Sequence, residues 1–356
     1  MAKITSVGFG LPTYCIPQEE VERFIKETYQ SSYPRIHRLL KVFKNSEIKR
    51  RRFVRPMDWY REPHTFEEKN HIFIEEAIQL GCKAIEQCLQ RFKVDYKEID
   101  AIYTICSTGL ATPSIEARIM NELPFHPHVK RTPIWGLGCA GGVAGLARAG
   151  EFCKAFPQAN VLVLAIELCS LTFQLEDLSK SNLIGTSLFA DGVACCLVCG
   201  DESTVLNGKE ESFPTIIDHQ ATLIPHSLDV MGWEIKNDGL FVIFSKDIPT
   251  IVHNWFKPNV EKFLEKHHWT MNDIQHFIAH PGGKKVIEAY RHSLSIPSEM
   301  TADSMEILKE YGNMSSATVL YVLERFMKKE KKMGDIGLAV TLGPGFSSDL
   351  LLMRWE

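Results

Sequence analysis

The chain has 356 residues, of which 45% are hydrophobic and 24% are charged, so it is long enough to bury a core without disulfides or structural metals. Its formal net charge of -4 gives no general attraction to nucleic acid, and no stretch has the roughly 18 apolar residues of a membrane span. Ten cysteines, together with an N-terminal segment unlike a signal peptide, predict a reducing, cytoplasmic location in which thiols stay free.

The first hundred residues are predicted to be mainly helical. Apolar residues recur three and four positions apart over 18–29, around 36–43 and over 66–89. A run rich in lysine and arginine, from Arg38 to Arg52, begins in the second of these helices. In a protein of net negative charge, this run is either a solvated or nucleic-acid-binding face or a site for a phosphorylated ligand.

Strands and helices alternate in the rest of the chain, which is typical of a layered α/β fold. The spacing from Cys106 to Cys139 and from His280 to Asn313 is 33 residues in both cases, and each pair runs from a strand end to a helix start. We therefore expect two related halves, residues 1–212 and 213–356. The predicted elements are strand 99–106, helix 114–123, strand 133–135, a helix from residue 139, strand 161–166, strand 277–280, helices 284–291 and 313–326, and strand 336–342.

A group of three cysteines, Cys195, Cys196 and Cys199, lies in an apolar run with no histidine nearby. Small apolar thiols are common in protein cores. Buried strand positions are therefore favoured over metal ligands for these residues.

Cys139 lies where a predicted strand ends and a predicted helix begins, in the glycine-rich segment Trp135-Gly-Leu-Gly-Cys-Ala-Gly-Gly. Glycines allow a tight turn and a close approach of the backbone. The first turn of a helix directs free N–H groups and the positive end of its dipole at such a sulfur, which favours thiolate over thiol. The residue is therefore either a nucleophile or a buried cysteine of a packing helix.

His280 and Asn313 are two further candidates for chemistry. His280 ends a predicted strand just before Pro281-Gly-Gly, so its imidazole is expected to project from the sheet edge. Asn313 follows Gly312 at the start of a predicted helix, where asparagine also serves as an N-cap. Taken singly, a solvated histidine and a helix cap are the alternatives to a catalytic role.

The order of several motifs is more specific than any one of them. In this combination the chain resembles the type III polyketide synthases, the chalcone synthase superfamily within the thiolase fold, over nearly its whole length. The motifs are Ser107-Thr-Gly-Leu-Ala-Thr-Pro, Gly-Cys-Ala-Gly-Gly around Cys139, Leu188-Phe-Ala-Asp-Gly, Lys246-Asp-Ile-Pro, His-Pro-Gly-Gly from His280, Gly-Asn-Met-Ser-Ser around Asn313 and Gly-Pro-Gly-Phe from Gly343.

The resemblance implies an acyltransferase with a five-layer αβαβα thiolase fold built from two duplicated halves. In this family a cysteine accepts an acyl group from a coenzyme A thioester, which implies that role for Cys139. The enolate formed by decarboxylation of malonyl-CoA needs hydrogen-bond donors, and this role is implied for His280 and Asn313. No metal or redox cofactor is implied, and the substrates are malonyl-CoA and an acyl-CoA starter.

The resemblance also implies a gate and a cavity. Phe189 matches a gatekeeper phenylalanine, whose ring can exclude water from the malonyl carboxylate. Val242 stands where the plant enzymes have a second gatekeeper phenylalanine, so the passage is expected to be wider here. The other residues matched to the cavity are Ser107, Cys169, Thr172, Gly343, Pro344 and Gly345.

Binding of coenzyme A and dimerisation are implied at other positions. Arg38 and Lys41 match basic contacts to the CoA phosphates, and Asn45 replaces a third lysine of that set. Gly283 matches backbone close to the CoA arm. Thr112 and Pro113 match a loop that reaches the partner subunit, so a homodimer is expected.

The starter is expected to be a long-chain fatty acyl-CoA, because the sequence looks most like bacterial members from bacilli that make alkylpyrones or alkylresorcinols. Two alternatives stay open on the sequence. One is a condensing enzyme like the β-ketoacyl-carrier-protein synthases III, which share cysteine, histidine and asparagine. The other is an acyl-CoA-binding protein without catalytic activity.

Overall fold

A nine-stranded mixed sheet forms the centre of the computed structural model, which describes residues 1–31, 36–245 and 248–356. The strands in the described part of the chain are β1 (Ala2–Gly10), β2 (Tyr14–Pro17), β3 (Arg50–Phe53), β4 (Ala101–Cys106), β5 (Lys130–Trp135), β6 (Asn160–Leu168), β7 (Asp191–Gly200), β8 (Pro214–Leu223), β9 (Met231–Lys236), β10 (Gly239–Phe244), β11 (His276–Ala279), β12 (Ile336–Gly343) and β13 (Ser347–Trp355). The α-helices there are α1 (Gln18–Tyr29), α2 (Ile36–Leu39), α3 (Lys41–Asn45), α4 (Phe66–Gln90), α5 (Ile115–Glu122), α6 (Gly141–Ala155), α7 (Lys180–Leu188), α8 (Ile248–Ile251), α9 (Lys257–Glu265), α10 (Lys284–Leu294), α11 (Ala302–Tyr311) and α12 (Thr318–Lys328).

The strand order of the large sheet is β11-β12-β13-β8-β1-β7-β6-β4-β5. β1 pairs with β7 along its whole length, but it meets β8 through only two residue pairs, Ala2 with Ile216 and Lys3 with Thr215. The sheet therefore has a five-stranded N-terminal part and a four-stranded C-terminal part with a short junction. The predicted boundary between residues 212 and 213 lies in the segment that connects β7 to β8.

Packing of helices on the two parts of the sheet produces five layers. α6 and α12 share one apolar cluster with side chains from both parts, so they form the middle layer. α4 and α5 cover the other face of the N-terminal part, while α9 and α10 cover the other face of the C-terminal part. This order of helix, sheet, helix, sheet and helix confirms the predicted αβαβα thiolase fold.

The cysteines and helices also agree with the sequence pattern. Cys195, Cys196 and Cys199 are completely buried on β7, as predicted for strand positions in the core, and all ten cysteines are free thiols. Of the helices within 1–31, 36–245 and 248–356, none combines the length and the apolar character that crossing a membrane requires. Lys246 and Asp247, which begin one of the family motifs, lie outside the described residues.

Candidate active site

The predicted nucleophile lies in a single 3-10 turn, Gly138–Ala140, between β5 and α6. Gly138 has φ +47°, and a Cβ at this residue would come within 2.7 Å of Pro344 Cγ. A Cβ at Gly343 would likewise come within 2.6 Å of Ala140 Cβ. The turn that carries Cys139 therefore packs directly on the loop after β12, and glycine is required on both sides of this contact.

Burial dominates the electrostatics of Cys139. Burial and, to a smaller extent, the nearby charge of Glu167 raise the pKa of Cys139 to about 12, although hydrogen bonds with Ser315 and Asn313 lower it. The thiol donates to Ser315 Oγ at 3.6 Å. Loss of hydration thus acts against the thiolate that the position at a helix start favours, and the resting thiolate stays a prediction.

His280 is buried rather than exposed at the sheet edge. Its backbone N–H donates to Val340 O at 2.8 Å directly after β11, and the residue is only 1% exposed. Neither ring nitrogen has a hydrogen-bond partner among the described residues. Burial lowers the pKa of His280 to about 3, so the imidazole is neutral at neutral pH. A buried ring with two unpaired nitrogens is suited to bind a polar group of a substrate.

Asn313 pairs with the segment that joins α7 to β7 and is not the N-cap residue of a helix, which was the alternative to its catalytic role. Its backbone N–H donates to Leu188 O at 2.8 Å, and its carbonyl accepts from Ala190 N at 2.9 Å. The helix starts only after the 3-10 turn Ser315–Ala317. In the side chain, Nδ2 donates to Gly282 O at 3.1 Å and Oδ1 accepts from Ser315 N at 2.8 Å, which fixes the orientation of the amide.

These contacts bring the three predicted side chains to one place. Ser315 links Cys139 to Asn313, since its hydroxyl meets the thiol and its N–H meets the amide. Gly282 links Asn313 to His280, because a Cβ on this glycine would lie 3.7 Å from His280 Nε2. A nucleophilic sulfur next to two neutral side chains that can donate hydrogen bonds is an arrangement for acyl transfer and for binding an oxyanion.

Glu167 is a functional candidate that the sequence analysis missed. This completely buried carboxylate at the end of β6 accepts from Ser107 N at 3.1 Å, Thr108 Oγ1 at 3.0 Å and Ser316 Oγ at 2.5 Å. Burial raises the pKa of Glu167 to about 7, although these hydrogen bonds lower it. Ser107, which was expected to line the cavity, is directed at this carboxylate. A charged residue inside an apolar strand was the available signal in the sequence.

The region around Phe189 is more aromatic than the motif comparison suggests. The Phe189 ring lies 5.6 Å from the Trp233 ring and 5.7 Å from the Phe244 ring, on the β9–β10 hairpin. Val242 lies opposite Trp233 across this hairpin. We call Phe189, Trp233, Val242 and Phe244 the aromatic gate. The valine is smaller than a phenylalanine, but two neighbouring rings occupy the adjacent space, so the wider passage expected from Val242 alone is reduced.

A pocket lined in part by Phe189 and Val242, here called the acyl pocket, begins at the aromatic gate. Phe189 joins it to the site, because the Phe189 ring lines the pocket and the Phe189 backbone pairs with Asn313. Cys169 and Thr172 also line it, as their match to the family cavity implied, whereas Cys139 and His280 do not. The remaining lining residues are Val21, Phe24, Arg51, Phe53, Met57, Tyr60, Ser170, Phe173, Asn182, Gly185, Thr186 and Val242.

The residues expected to contact coenzyme A lie on one connected surface. Arg38, Lys41 and Asn45 are exposed on α2 and α3. Gly283 precedes α10, and the next residue, Lys284, forms an ion pair of 2.6 Å with Glu47, just beyond α3. The start of α10 is therefore held next to the basic segment.

Comparison with known proteins agrees with this geometry. The chain matches "Chalcone and stilbene synthases, N-terminal domain" over residues 1–202 and "Chalcone and stilbene synthases, C-terminal domain" over residues 216–355. A provisionally named chalcone synthase of Bacillus subtilis (strain 168) is 52% identical over 362 residues, which cover 100% of this chain and 99% of the relative. An alpha-pyrone synthesis polyketide synthase-like protein of Mycobacterium tuberculosis (strain CDC 1551 / Oshkosh) is 28% identical over 99% of this chain and 91% of its own.

Solved structures give the same result. The crystal structure of 1,3,6,8-tetrahydroxynaphthalene synthase from Streptomyces coelicolor A3(2), a bacterial type III polyketide synthase, superposes with a TM-score of 0.93. The two chains are 28% identical, and the superposition covers 99% of each. Members of this family use coenzyme A thioesters and need no cofactor. The chain therefore belongs to the chalcone and stilbene synthase family and is a type III polyketide synthase, an acyltransferase that condenses malonyl-CoA.

Proposed function

We propose that this enzyme loads a long-chain fatty acyl group from coenzyme A onto Cys139, extends it with malonyl-CoA and releases products of the alkylpyrone or alkylresorcinol type. The observation that carries the proposal is the acyl pocket, which opens at Phe189 and is lined mainly by apolar side chains. The name of the Mycobacterium tuberculosis relative, which refers to alpha-pyrone synthesis, supports the same class of product.

The chemistry of the pocket wall favours an alkyl chain. Val21 and Phe24 of α1, together with Met57 and Phe173, give it an apolar surface away from the reacting sulfur. Burial of each methylene of a starter contributes about 0.8 kcal/mol. The preference for a starter therefore increases with its chain length until the pocket is filled.

The loading step exchanges one thioester for another. The Cys139 sulfur attacks the acyl carbonyl while its proton moves to the neutral His280 ring, and the departing CoA sulfur takes that proton. The acyl–Cys139 bond forms as the acyl–CoA bond breaks, so no net charge is created. Because burial raises the pKa of the thiol and lowers the pKa of the imidazole, both groups are neutral at rest, and the proton must leave the sulfur in concert with formation of the carbon–sulfur bond.

The condensation step needs donors for a transient negative charge. Loss of CO2 from malonyl-CoA leaves an enolate whose oxygen accepts hydrogen bonds from Asn313 Nδ2 and from the N–H of His280. The carbon of this enolate then attacks the acyl carbonyl on Cys139, which gives a β-ketoacyl-CoA and releases the Cys139 thiolate. A proton from solvent restores the thiol. Because the Asn313 amide is already fixed by Gly282 and Ser315, this donor needs no reorientation during the reaction.

We also propose that the enzyme is a homodimer formed through the edge of the large sheet. β5 pairs only with β4 and is mostly exposed, and Trp135 and Leu137 at its end are 44% and 37% exposed. The exposed loop at Thr112 and Pro113 follows Leu110, which is itself 39% exposed. The exposed apolar residues Trp135 and Leu137 at the end of this edge strand are suited to contact with a second copy. Trp135→Glu should convert the dimer to monomer in light scattering, whereas a monomeric wild type would contradict the proposal.

The starter proposal is tested by competition. The enzyme is given malonyl-CoA and an equimolar mixture of acetyl-CoA, p-coumaroyl-CoA and saturated acyl-CoA esters of eight to eighteen carbons, and the products are identified by mass spectrometry. We expect products from long fatty acyl starters to dominate. If p-coumaroyl-CoA is used in preference to every fatty acyl-CoA, the fatty-starter proposal is wrong.

A further inference from the structure

Arg51 is a completely buried cation in the wall of an otherwise uncharged pocket. It lies on β3 with 1% of its surface exposed, and it is the only charged residue among the described residues that line the acyl pocket. Its stem is close to the catalytic residues, since a Cβ on Gly312 would come within 2.8 Å of Arg51 Cγ and Cδ. Gly312 directly precedes Asn313 in the chain.

The hydrogen bonds of Arg51 account for only part of its five N–H groups. Nη1 donates to Thr186 O at 2.7 Å and to Phe189 O at 2.6 Å, which ties the guanidinium to the backbone of the aromatic gate. Nε and Nη2 are buried and have no hydrogen-bond partner among the described residues. Three N–H donors of a charged group therefore remain for something else.

Other polar side chains of the pocket wall already have partners within the protein. Their hydrogen bonds are Tyr60 Oη with Ser170 Oγ (2.6 Å), Ser170 Oγ to Asp191 Oδ2 (2.6 Å), Thr172 Oγ1 to Cys169 O (2.8 Å), Asn182 Nδ2 to Gln174 O (2.8 Å) and Thr186 Oγ1 to Asn182 O (2.7 Å). Among the described polar residues of the pocket wall, Arg51 is thus the one whose N–H donors are unpaired. A ligand that satisfies them must bring oxygen acceptors into this apolar space.

The nearby carboxylate of Asp191 does not fill this role. It accepts from Val54 N at 2.8 Å and from Ser170 N at 2.7 Å, in addition to the Ser170 hydroxyl. Burial lowers the pKa of Arg51 to about 9, so the guanidinium is still charged at neutral pH. Hydrogen bonds from its unpaired N–H groups are therefore charge-assisted, which makes them stronger than hydrogen bonds between neutral groups.

We infer that Arg51 binds the β-keto oxygens of the extended acyl chain, so that the acyl pocket recognises a 1,3-dicarbonyl segment as well as an alkyl tail. The inference rests on the proposed function. A saturated starter has no oxygen beyond its thioester, whereas each malonyl extension adds one ketone oxygen. The two oxygens of a 1,3-dicarbonyl group, especially as its enol or enolate, match the fork of donors on a guanidinium.

The test compares two ligands that differ by one ketone oxygen, 3-oxooctanoyl-CoA and octanoyl-CoA. Both are titrated by calorimetry into the Cys139→Ala variant, which cannot form the acyl-enzyme. A charged hydrogen bond contributes about 1.5 kcal/mol or more, so the keto ligand should bind at least about tenfold more tightly. Adding Arg51→Met should reduce this ratio to about one. Adding Arg52→Met, the matched control on the neighbouring residue of β3, should leave the ratio unchanged.

The outcomes separate the inference from the proposed function. Equal affinities for the two ligands when Arg51 is intact would overturn the inference, and so would a keto preference that survives Arg51→Met. If neither acyl-CoA binds, the proposed function fails instead. Should Arg51→Met not fold, Arg51→Lys retains the charge but not the fork of donors, and the keto preference should fall several-fold; an unchanged preference would contradict a role for the guanidinium.

Discussion

The proposed catalytic residues Cys139, His280 and Asn313 and the aromatic gate lie next to each other but are built differently. Hydrogen bonds help to fix all three residues. The Cys139 thiol donates to Ser315, the Asn313 amide bonds to Ser315 and Gly282, and the His280 backbone N–H donates to Val340 O. The gate consists of side chains on a separate two-stranded hairpin that packs against Phe189 by ring contacts. Directional bonds hold the reacting groups, whereas non-directional apolar packing shapes the space for the substrate.

This difference leads to a separation of roles. A change at the catalytic residues removes a specific donor or acceptor and should reduce the rate for every starter. A change at Trp233 or Val242 of the gate alters volume and should change which starter is used, with little effect on the decarboxylation of malonyl-CoA. If the two regions are separate in function, variants of one should affect the rate and variants of the other should affect the choice of starter.

The largest effect is expected for Asn313→Ala. Because the enolate charge exists only along the reaction path, loss of one donor should reduce malonyl-CoA decarboxylation by about a hundredfold or more. Release of labelled CO2 from malonyl-CoA measures this rate. Asn121→Ala, at an exposed asparagine on α5, is the matched control and should retain the wild-type rate. Wild-type decarboxylation by Asn313→Ala would remove the oxyanion role.

Glu167 tests whether buried charge next to the catalytic residues lowers stability. Its pKa is raised from 4.5 to about 7, so its contribution to stability is fully present below about pH 4.5 and is lost as the pH rises through 7. The loss is on the order of 3 kcal/mol, at 1.36 kcal/mol per pKa unit. The free energy of unfolding should therefore fall between pH 5 and 8 in the wild type and less so in Glu167→Gln.

The matched control for this experiment is Glu151→Gln on the exposed side of α6. Denaturant unfolding of this variant should show the same pH dependence as the wild type. Parallel pH profiles for Glu167→Gln and the wild type would show that Glu167 is not the group that titrates.

The thiol of Cys139 is expected to react slowly with an alkylating agent when substrate is absent. Since burial raises its pKa to about 12, the thiolate fraction should increase about tenfold for each pH unit between 7 and 9, without a plateau. Peptide-resolved mass spectrometry after iodoacetamide treatment measures this, with the exposed Cys15 as an internal reference. Rapid alkylation of Cys139 that no longer changes above pH 7 would instead support a resting thiolate.

The smallest effects are expected at the aromatic gate. Trp233→Leu should raise kcat/KM for the longest starters by about fivefold, which corresponds to roughly 1 kcal/mol of apolar contact, and Val242→Phe should shift the optimum to shorter chains. Phe241→Leu, on the opposite face of the hairpin, is the control. An unchanged starter profile in both gate variants would assign chain-length selection to another part of the acyl pocket.

Secondary structure and burial could be predicted from the sequence where the apolar residues follow a regular local pattern. The helix over 18–29 agrees with α1 at both ends because its apolar period is regular, and the buried cysteines of β7 follow from their apolar run. The strand β1 was missed because glycine and serine interrupt its apolar residues. These small residues allow close packing, since a Cβ at Gly8 would lie 2.3 Å from Ala84 O on α4.

The pKa of Cys139 and the width of the passage at the aromatic gate could not be predicted, because both depend on contacts between residues that are distant in sequence. The position of Cys139 at a helix start indicated a low pKa, but burial by the rest of the fold reverses the shift. The single residue Val242 indicated an open passage, but Trp233 and Phe244 approach Phe189 only when the hairpin packs on α7. The unpaired N–H donors of Arg51 likewise could not be predicted, because they depend on which residues of the folded chain surround the guanidinium.

Loading of a fatty acyl group onto Cys139 can be observed by isolation of the acyl-enzyme. The protein is incubated with dodecanoyl-CoA without malonyl-CoA, digested at low pH and analysed by mass spectrometry, with Cys139→Ala as the control. We expect one dodecanoyl group on the peptide that contains Cys139 and none in the variant. Acylation of a different cysteine, or no acylation by dodecanoyl-CoA under conditions in which p-coumaroyl-CoA acylates Cys139, would contradict this expectation.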